Sequence, residues 1–415
     1  MTNLKQEKIV YIIGAGINQV VKHSWHDGLS PSMINNFFQI ALKIEKFATE
    51  YYTNQIQIVY DYIAKFWKKN KSDLSNRPFD LEECFTLIEL QLKEAIDQQN
   101  KELSQYLRAI QFRLKLFLIE VLAEFSFQVV TSDPFRKFGS ILFSEKPIII
   151  TFNYDDYIEN ILEIAAGPNT TKPPTEEINK RFLEFTQSTE LSEKEIGYHS
   201  HNWTKSLGYG MKFDKVGWDF PGPEQLVEGA KFYSHPNNGL YDWYVLKLHG
   251  SINWFRYLPI RAFPQIPGQE EPPLNEDFSQ IIISRQGYWF NNPPILNGWF
   301  IDPIIITPNM YKERQLTETV FDKLASLLEA KNALSSCNTL VVIGYSFPPT
   351  DFMTKKLFLE SFSDHQLDEL VIVNPDTSVV QKVKDLCHHN KPVIVCRDLT
   401  EYLRLKDTSP VNFNR

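Results

Sequence analysis

Six short apolar runs constrain the fold of this chain more than any other feature: Ile9–Ile13, Ile148–Thr151, Val245–Leu248, Leu340–Ile343, Leu370–Val373 and Val393–Cys396. A strand with one wet face alternates apolar and polar residues. These runs are apolar almost throughout, so both faces must be covered, as in a parallel sheet with helices on each side. Between the last three runs lie helical patterns, Asp351–Phe362 and Ser378–Cys387. The C-terminal third therefore reads strand, helix, strand, helix, strand, which predicts an α/β fold with a Rossmann-like, doubly wound parallel sheet. The expected domain is a single one over residues 8–405 of the 415, elaborated by insertions.

The largest insertion, residues 35–138, follows the first strand. There Leu107, Ile110, Leu114, Phe117, Val121 and Phe125 recur at the spacing of one helix face, so a helical layer is expected. Asp80, followed by Glu82 and Glu83 and then by Phe85, Ile88 and Leu92, reads as the N-cap of a helix packing on the sheet. Residues 166–242 and 257–300 are rich in aromatics, Asn and Pro and poor in periodicity. They are expected to be long loops, either plain surface connections or lids over a cleft.

A net charge of −8 gives no basic field for the phosphate backbone, so direct nucleic-acid binding is not expected. Cys84, Cys337, Cys387 and Cys396 form no C-x-x-C pair, which points to buried free thiols rather than a zinc ribbon or disulfide framework. The polar start running into Ile9–Ile13 lacks the pattern of a signal peptide, and a cytoplasmic location is expected. The most apolar long window, Leu107–Val130, carries Arg108, Arg113, Lys115, Glu120 and Glu124 and reads as a helix outside any membrane.

Polar and glycine residues follow the strands directly. Gly14-Ala15-Gly16 comes after Ile9–Ile13, where a glycine turn either admits a phosphate to backbone N–H groups or is simply tight; Gln19 replaces the third glycine of a dehydrogenase fingerprint. Thr151-Phe152-Asn153-Tyr154-Asp155 ends the second strand. Asn153 can position a water or sugar hydroxyl and Asp155 can accept from a carboxamide, or the pair can serve as turn residue and helix cap. Lys247-Leu248-His249-Gly250-Ser251 sets an imidazole at a third strand end, suited to general-base work near neutral pH. Gly344-Tyr345-Ser346 and Asn374-Pro375-Asp376 end two more strands: Ser346 can bond a phosphate or ribose oxygen and Asn374 the hydroxyls of a ribose, or either can be a plain turn. His199, His201, His235, His365, His388 and His389 have neither metal spacing nor a strand-end setting and are expected at the surface or in loops.

In order and setting, these elements resemble the sirtuin-like family, in which a GAG turn, a T-x-N-x-D element, an HG dipeptide, a G-x-S turn and a final N-P element line one NAD pocket. Here they are Gly14–Gly16, Thr151–Asp155, His249-Gly250, Gly344–Ser346 and Asn374-Pro375. The resemblance spans about residue 8 to residue 400. The family's deacetylases carry a zinc ribbon after the HG element, which Ser251–Asn338 cannot supply. The chain is more similar to the zinc-free branch found in bacterial antiviral defence, as HGSINW at His249–Trp254 and GYSFPPTD at Gly344–Asp351 suggest. Ile17-Asn18 stands where many relatives have a small residue and serine.

The resemblance implies NAD as substrate, no metal, and cleavage of the nicotinamide–ribose bond. It gives Asn153 the attacking water or ribose hydroxyl, His249 the role of base, Asp155 the carboxamide, and Asn18 part of the phosphate grip; Gly14, Ala15, Gly16, Thr151, Gly344, Ser346 and Asn374 line the pocket. Trp25 either walls the nicotinamide side or stacks in a core. An active member is expected to be held off until triggered by a partner protein or by assembly, and the resemblance implies a HerA-type ATPase or an argonaute-type protein as the partner. A homo-oligomer is expected, with the helical insertion as its natural assembly surface. ADP-ribosyl transfer, cyclisation, and a silent NAD- or ADP-ribose-binding subunit are the competing expectations.

Overall fold

The computed structural model describes residues 8–21, 28–31, 34–166, 244–259, 281–283, 298–307, 326–348 and 351–408. Strand β1 (Ile9–Ile13) is buried along its whole length. It lies between β2 (Ile148–Thr151) and β7 (Thr339–Ile343), parallel to both. Beyond β2 comes β3 (Tyr244–Lys247), and beyond β7 come β8 (Glu369–Val373) and β9 (Ile394–Cys396), giving a six-stranded parallel sheet of order β3-β2-β1-β7-β8-β9. Each predicted strand is present within one residue of its expected ends. The chain winds outward in both directions from β1 and β7, so the topological switch of this Rossmann-like sheet lies between those two strands.

The apolar runs are continuous because successive side chains enter different cores. Tyr11, Ile13, Ile149, Val245, Val341, Ile343, Val371 and Val373 join one cluster, whereas Val10, Ile12, Ile150, Leu246, Leu340, Val342, Leu370 and Ile372 join the other. The second cluster is closed by α11 (Ser326–Leu334), α12 (Phe352–Ser361) and α13 (Ser378–Leu386), which contribute Ala330, Leu334, Phe358, Val379 and Val383.

The first core is covered by the helical layer inserted between β1 and β2. Its nine helices among the described residues are α1 (Phe37–Ala41), α2 (Glu45–Ala48), α3 (Glu50–Gln55), α4 (Gln57–Trp67), α5 (Lys71–Asn76), α6 (Leu81–Asp97), α7 (Lys101–Glu124), α8 (Ser126–Thr131) and α9 (Asp133–Glu145), so the layer continues past Phe138. Leu107, Ile110, Leu114, Phe117 and Val121 form the buried stripe of α7 that their spacing predicts. Phe117 receives the rings of Phe37 and Phe47 edge-on, with centroids 5.3 and 5.5 Å away. Asp80 caps α6, accepting from the backbone N–H of Glu82 at 2.8 Å and of Glu83 at 3.2 Å. Helices α10 (Tyr157–Ala166) and α14 (Leu399–Thr408) complete this face. Among the described residues no helix is long and apolar enough to cross a membrane.

A second, antiparallel sheet begins at His249's own neighbour: β4 (Gly250–Pro259) is its central strand, flanked by β5 (Ile281–Ile283) and β6 (Gly298–Ile305). This corrects the expectation of plain loop over 257–300, part of which is strand. Residues 167–243, with the expected first lid, and 260–280 and 284–297 lie outside the described residues, as do His23, Trp25, His26, His199, His201 and His235. All four cysteines are free and buried. His389, expected at the surface or in a loop, is in a loop but buried, in the turn after α13 where its backbone N–H donates back to the Lys384 carbonyl at 3.0 Å.

Candidate active site

Every strand-end element named from the sequence lies at the carboxyl edge of the parallel sheet, where open α/β sheets bind ligands. Sheet order sets their sequence across that edge: His249 after β3, Asn153 and Asp155 after β2, Gly14–Asn18 after β1, Gly344–Ser346 after β7, and Asn374 after β8.

The glycines meet at the switch point. Gly14 N–H donates to the Ile343 carbonyl and Gly16 N–H to the Gly344 carbonyl, both at 2.9 Å. Gly344 has φ +63°, and a Cβ there would fall 2.2 Å from the Ile17 nitrogen. The two turns thus cross backbone against backbone, which only glycine permits. These glycines have a packing reason to exist independent of any phosphate.

The turn after β2 is braced from several sides. Thr151 Oγ1 donates to the Ile13 carbonyl at 3.0 Å and accepts from Asn153 N–H at 3.1 Å. Tyr154 ties the turn to the second sheet: its carbonyl accepts from Ile252 N–H at 2.8 Å and its hydroxyl donates to the Ile306 carbonyl at 2.7 Å. Beneath it Lys247, with no exposed side-chain surface, donates to the Asp155 carbonyl and pairs with Glu159 at 3.0 Å.

Asp155 is 4% exposed. One carboxylate oxygen accepts from Asn18 Nδ2 at 3.0 Å and the other from Tyr157 N–H at 3.3 Å. Burial pushes its carboxyl up to about 6, with Glu159 adding to the rise and Lys247, Asn18 and Tyr157 opposing it. Two amide atoms of this corner, Asn18 Oδ1 and Asn153 Nδ2, are buried without a hydrogen-bond partner among the described residues.

His249 is 7% exposed, with its ring against those of Phe152, 5.2 Å away, and Tyr154, 6.2 Å away. Its Nε2 lies 3.7 Å from Asp351 Oδ2. That carboxylate caps α12, accepting from Thr354 N–H at 3.3 Å, and also accepts from the Tyr345 hydroxyl at 2.5 Å. Tyr345 stacks on Phe152 with centroids 4.3 Å apart. Gly250, at φ +81°, lets β4 leave the imidazole at once, since a Cβ there would fall 2.1 Å from the Ile304 carbonyl oxygen. The Ile306 N–H donates to the His249 carbonyl at 2.9 Å.

On the far side of the switch, Asn374 is pinned, donating to the Tyr345 carbonyl at 3.3 Å and accepting from Asp376 N–H at 2.9 Å, whereas Ser346 is exposed. Asp351, Tyr345, Lys247 and Glu159 are the members that sequence reasoning passed over. Lys247 left the clearest signal, a cation ending an otherwise apolar strand. Burial pushes the phenols of Tyr154 and Tyr345 up, and the carboxylates of Asp351 and Glu82, the latter at the head of α6, add to the rise.

No protein-family model matches the chain, and no curated protein matches it.

Proposed function

We propose that the chain is a zinc-free, sirtuin-like NAD hydrolase that cleaves the nicotinamide–ribose bond. The observation that carries this reading is the order of groups along the sheet edge: a base at one end, two asparagines and a carboxylate beside it, a glycine crossing at the centre and an anchored asparagine beyond. That order follows the parts of a dinucleotide, with the reacting glycosidic carbon near His249 and Asn153, the pyrophosphate at Gly14–Gly16 and Gly344, and the adenosine ribose near Asn374.

In this mechanism the bond from C1′ of the ribose to the nicotinamide nitrogen breaks through an oxocarbenium-like species, and nicotinamide leaves as a neutral base. Water adds to C1′ and its proton passes to the imidazole of His249, leaving ADP-ribose. Asn153 Nδ2, a buried donor with no partner among the described residues, would hold the attacking water or a ribose hydroxyl through oxygen. Asp351 sets a negative charge 3.7 Å from the nitrogen of a ring that becomes positive. The protein's work is then mainly positioning. An enzyme that depletes NAD must be restrained, so the chain is proposed to act as an antiphage effector. It would be a homo-oligomer released by a partner such as a HerA-type ATPase or an argonaute-type protein.

The test is chromatography of NAD incubated with the purified protein, alone and with its genomic neighbour. Nicotinamide and free ADP-ribose are the expected products, and loss of a positioned base or water holder in His249→Ala or Asn153→Ala should slow their release ~10²–10⁴-fold with the fold intact. Cyclised or protein-linked ADP-ribose would replace hydrolysis by transfer. Undiminished NAD bound to the protein would leave a silent binding subunit.

A further inference from the structure

We propose that Asn18 selects a carboxamide over a carboxylate on the base of the dinucleotide, an inference that rests on the hydrolase reading above. The family resemblance gives the carboxamide to Asp155 and the phosphate to the region of Asn18. The geometry divides the labour differently.

Both oxygens of Asp155 already accept an N–H, one from the Asn18 side chain at 3.0 Å and one from the Tyr157 backbone at 3.3 Å. An ionised carboxylate only accepts hydrogen bonds, so the NH₂ end of Asn18 must face Asp155 and the Oδ1 end must face away. The orientation of this amide is therefore fixed by chemistry, although O and N are alike in shape. Asn18 is 3% exposed, and its Oδ1 has no partner among the described residues. An acceptor left buried and unpaired loses its bonds to water without replacement. A ligand that brings an N–H to it removes that penalty.

Asn18 follows β1 and Asn153 follows β2, on adjacent strands at the end of the edge that also holds His249. The corner thus offers an acceptor, Asn18 Oδ1, and a donor, Asn153 Nδ2, neither with a partner among the described residues. A primary amide presents the N–H that the acceptor needs. A carboxylate in its place would set lone pairs against Asn18 Oδ1 and bring a further negative charge toward Asp155 and Glu159, where Lys247 already bonds the Asp155 carbonyl and pairs with Glu159. Asp155 then acts through Asn18 as a positioning residue. Serine at position 18, as in many relatives, has one oxygen and cannot both donate to Asp155 and reach as far with a separate acceptor.

The experiment compares NAD with nicotinic acid adenine dinucleotide, which differs only in carrying a carboxylate for the carboxamide. Turnover is measured for the wild-type protein and for Asn18→Ala, in the presence of the activating neighbour if one is needed, and equilibrium binding of both dinucleotides is measured on His249→Ala. Wild type should prefer NAD by at least ~100-fold in kcat/KM, because a site built to bond an N–H rejects the analogue that lacks it. Asn18→Ala should bring the ratio below about 10, chiefly by weakening NAD; Asn18→Ser serves if the alanine variant does not fold. Equal use of the two dinucleotides by wild type, or an undiminished ratio in a folded Asn18 variant, would overturn the role of Asn18 while leaving the hydrolase reading intact. If neither dinucleotide is cleaved or bound, the hydrolase reading itself falls and takes this inference with it.

Discussion

Asp155 pays for its position: a carboxyl 4% exposed and pushed up to about 6 is more easily protonated in the folded chain than in the unfolded one. The sign of the linkage follows. Its contribution to stability is fully present below the unfolded value of about 4 and is lost as pH rises to about 6, where the folded group ionises. A shift of that size corresponds to about 3 kcal/mol at neutral pH. Asp155→Asn keeps an oxygen to accept from Asn18 but carries no charge to bury. Its melting temperature, relative to wild type, should be higher at pH 7.5 than at pH 4.5, as followed by calorimetry at the two pH values. An offset independent of pH would mean that the carboxyl titrates normally in the fold. The same ionisation fixes the Asn18 amide, so the residue that destabilises the corner is the one that orders it.

At the scale of elements, the site depends on two turns that cross without side chains. Gly344→Ala adds a Cβ at φ +63°, 2.2 Å from the Ile17 nitrogen, with backbone rather than a flexible side chain in its way. The expected loss is more than about 2 kcal/mol, read from denaturant unfolding without any ligand. A near-neutral result would mean that the turns part easily and that the glycines serve the ligand alone. This crossing also shows what sequence could and could not reveal. The strands were legible because burial on both faces leaves an unbroken apolar run, and α7 was legible because one buried stripe leaves a period. The strand-end residues were legible because polar side chains in such a setting are conspicuous. The second sheet was not: β5 is the short run Ile281–Ile283 in a Pro-rich stretch, and β4 pairs with β6 through register shifts that break alternation. Nor could sequence show that Asp351 stands beside His249 or that Lys247 reaches Glu159. Those pairs are about a hundred and 88 residues apart and are made by strand order, not by local pattern.

The helical layer is no appendage at the scale of the molecule. Tyr11 and Ile13 of β1 share one core with Phe37, Phe47, Phe117 and Phe138 of the insertion and with Tyr402 of α14. Tyr11 donates from that core to Glu145 at 2.6 Å and meets the Tyr402 hydroxyl at 2.8 Å, binding first strand, last helix of the layer and C-terminal helix together. Removing residues 35–138 would strip one face of the sheet, so a deletion cannot separate assembly from folding. Surface substitutions can. The α6–α7 hairpin exposes Leu90, Ile96, Leu103 and Tyr106, each 38–49% accessible. Leu103 and Tyr106, three residues apart, share a face of α7. If the proposed oligomer forms through this hairpin, replacing both with lysine sets four like charges at each two-fold contact. The mass by light scattering should then fall to that of a single chain, while the melting temperature changes little because neither side chain reaches the core. An unchanged mass would remove the hairpin from the interface, and a monomeric wild type would remove the oligomer. If a smaller species retained NAD cleavage, the helical layer would be supporting the sheet, with assembly serving only restraint.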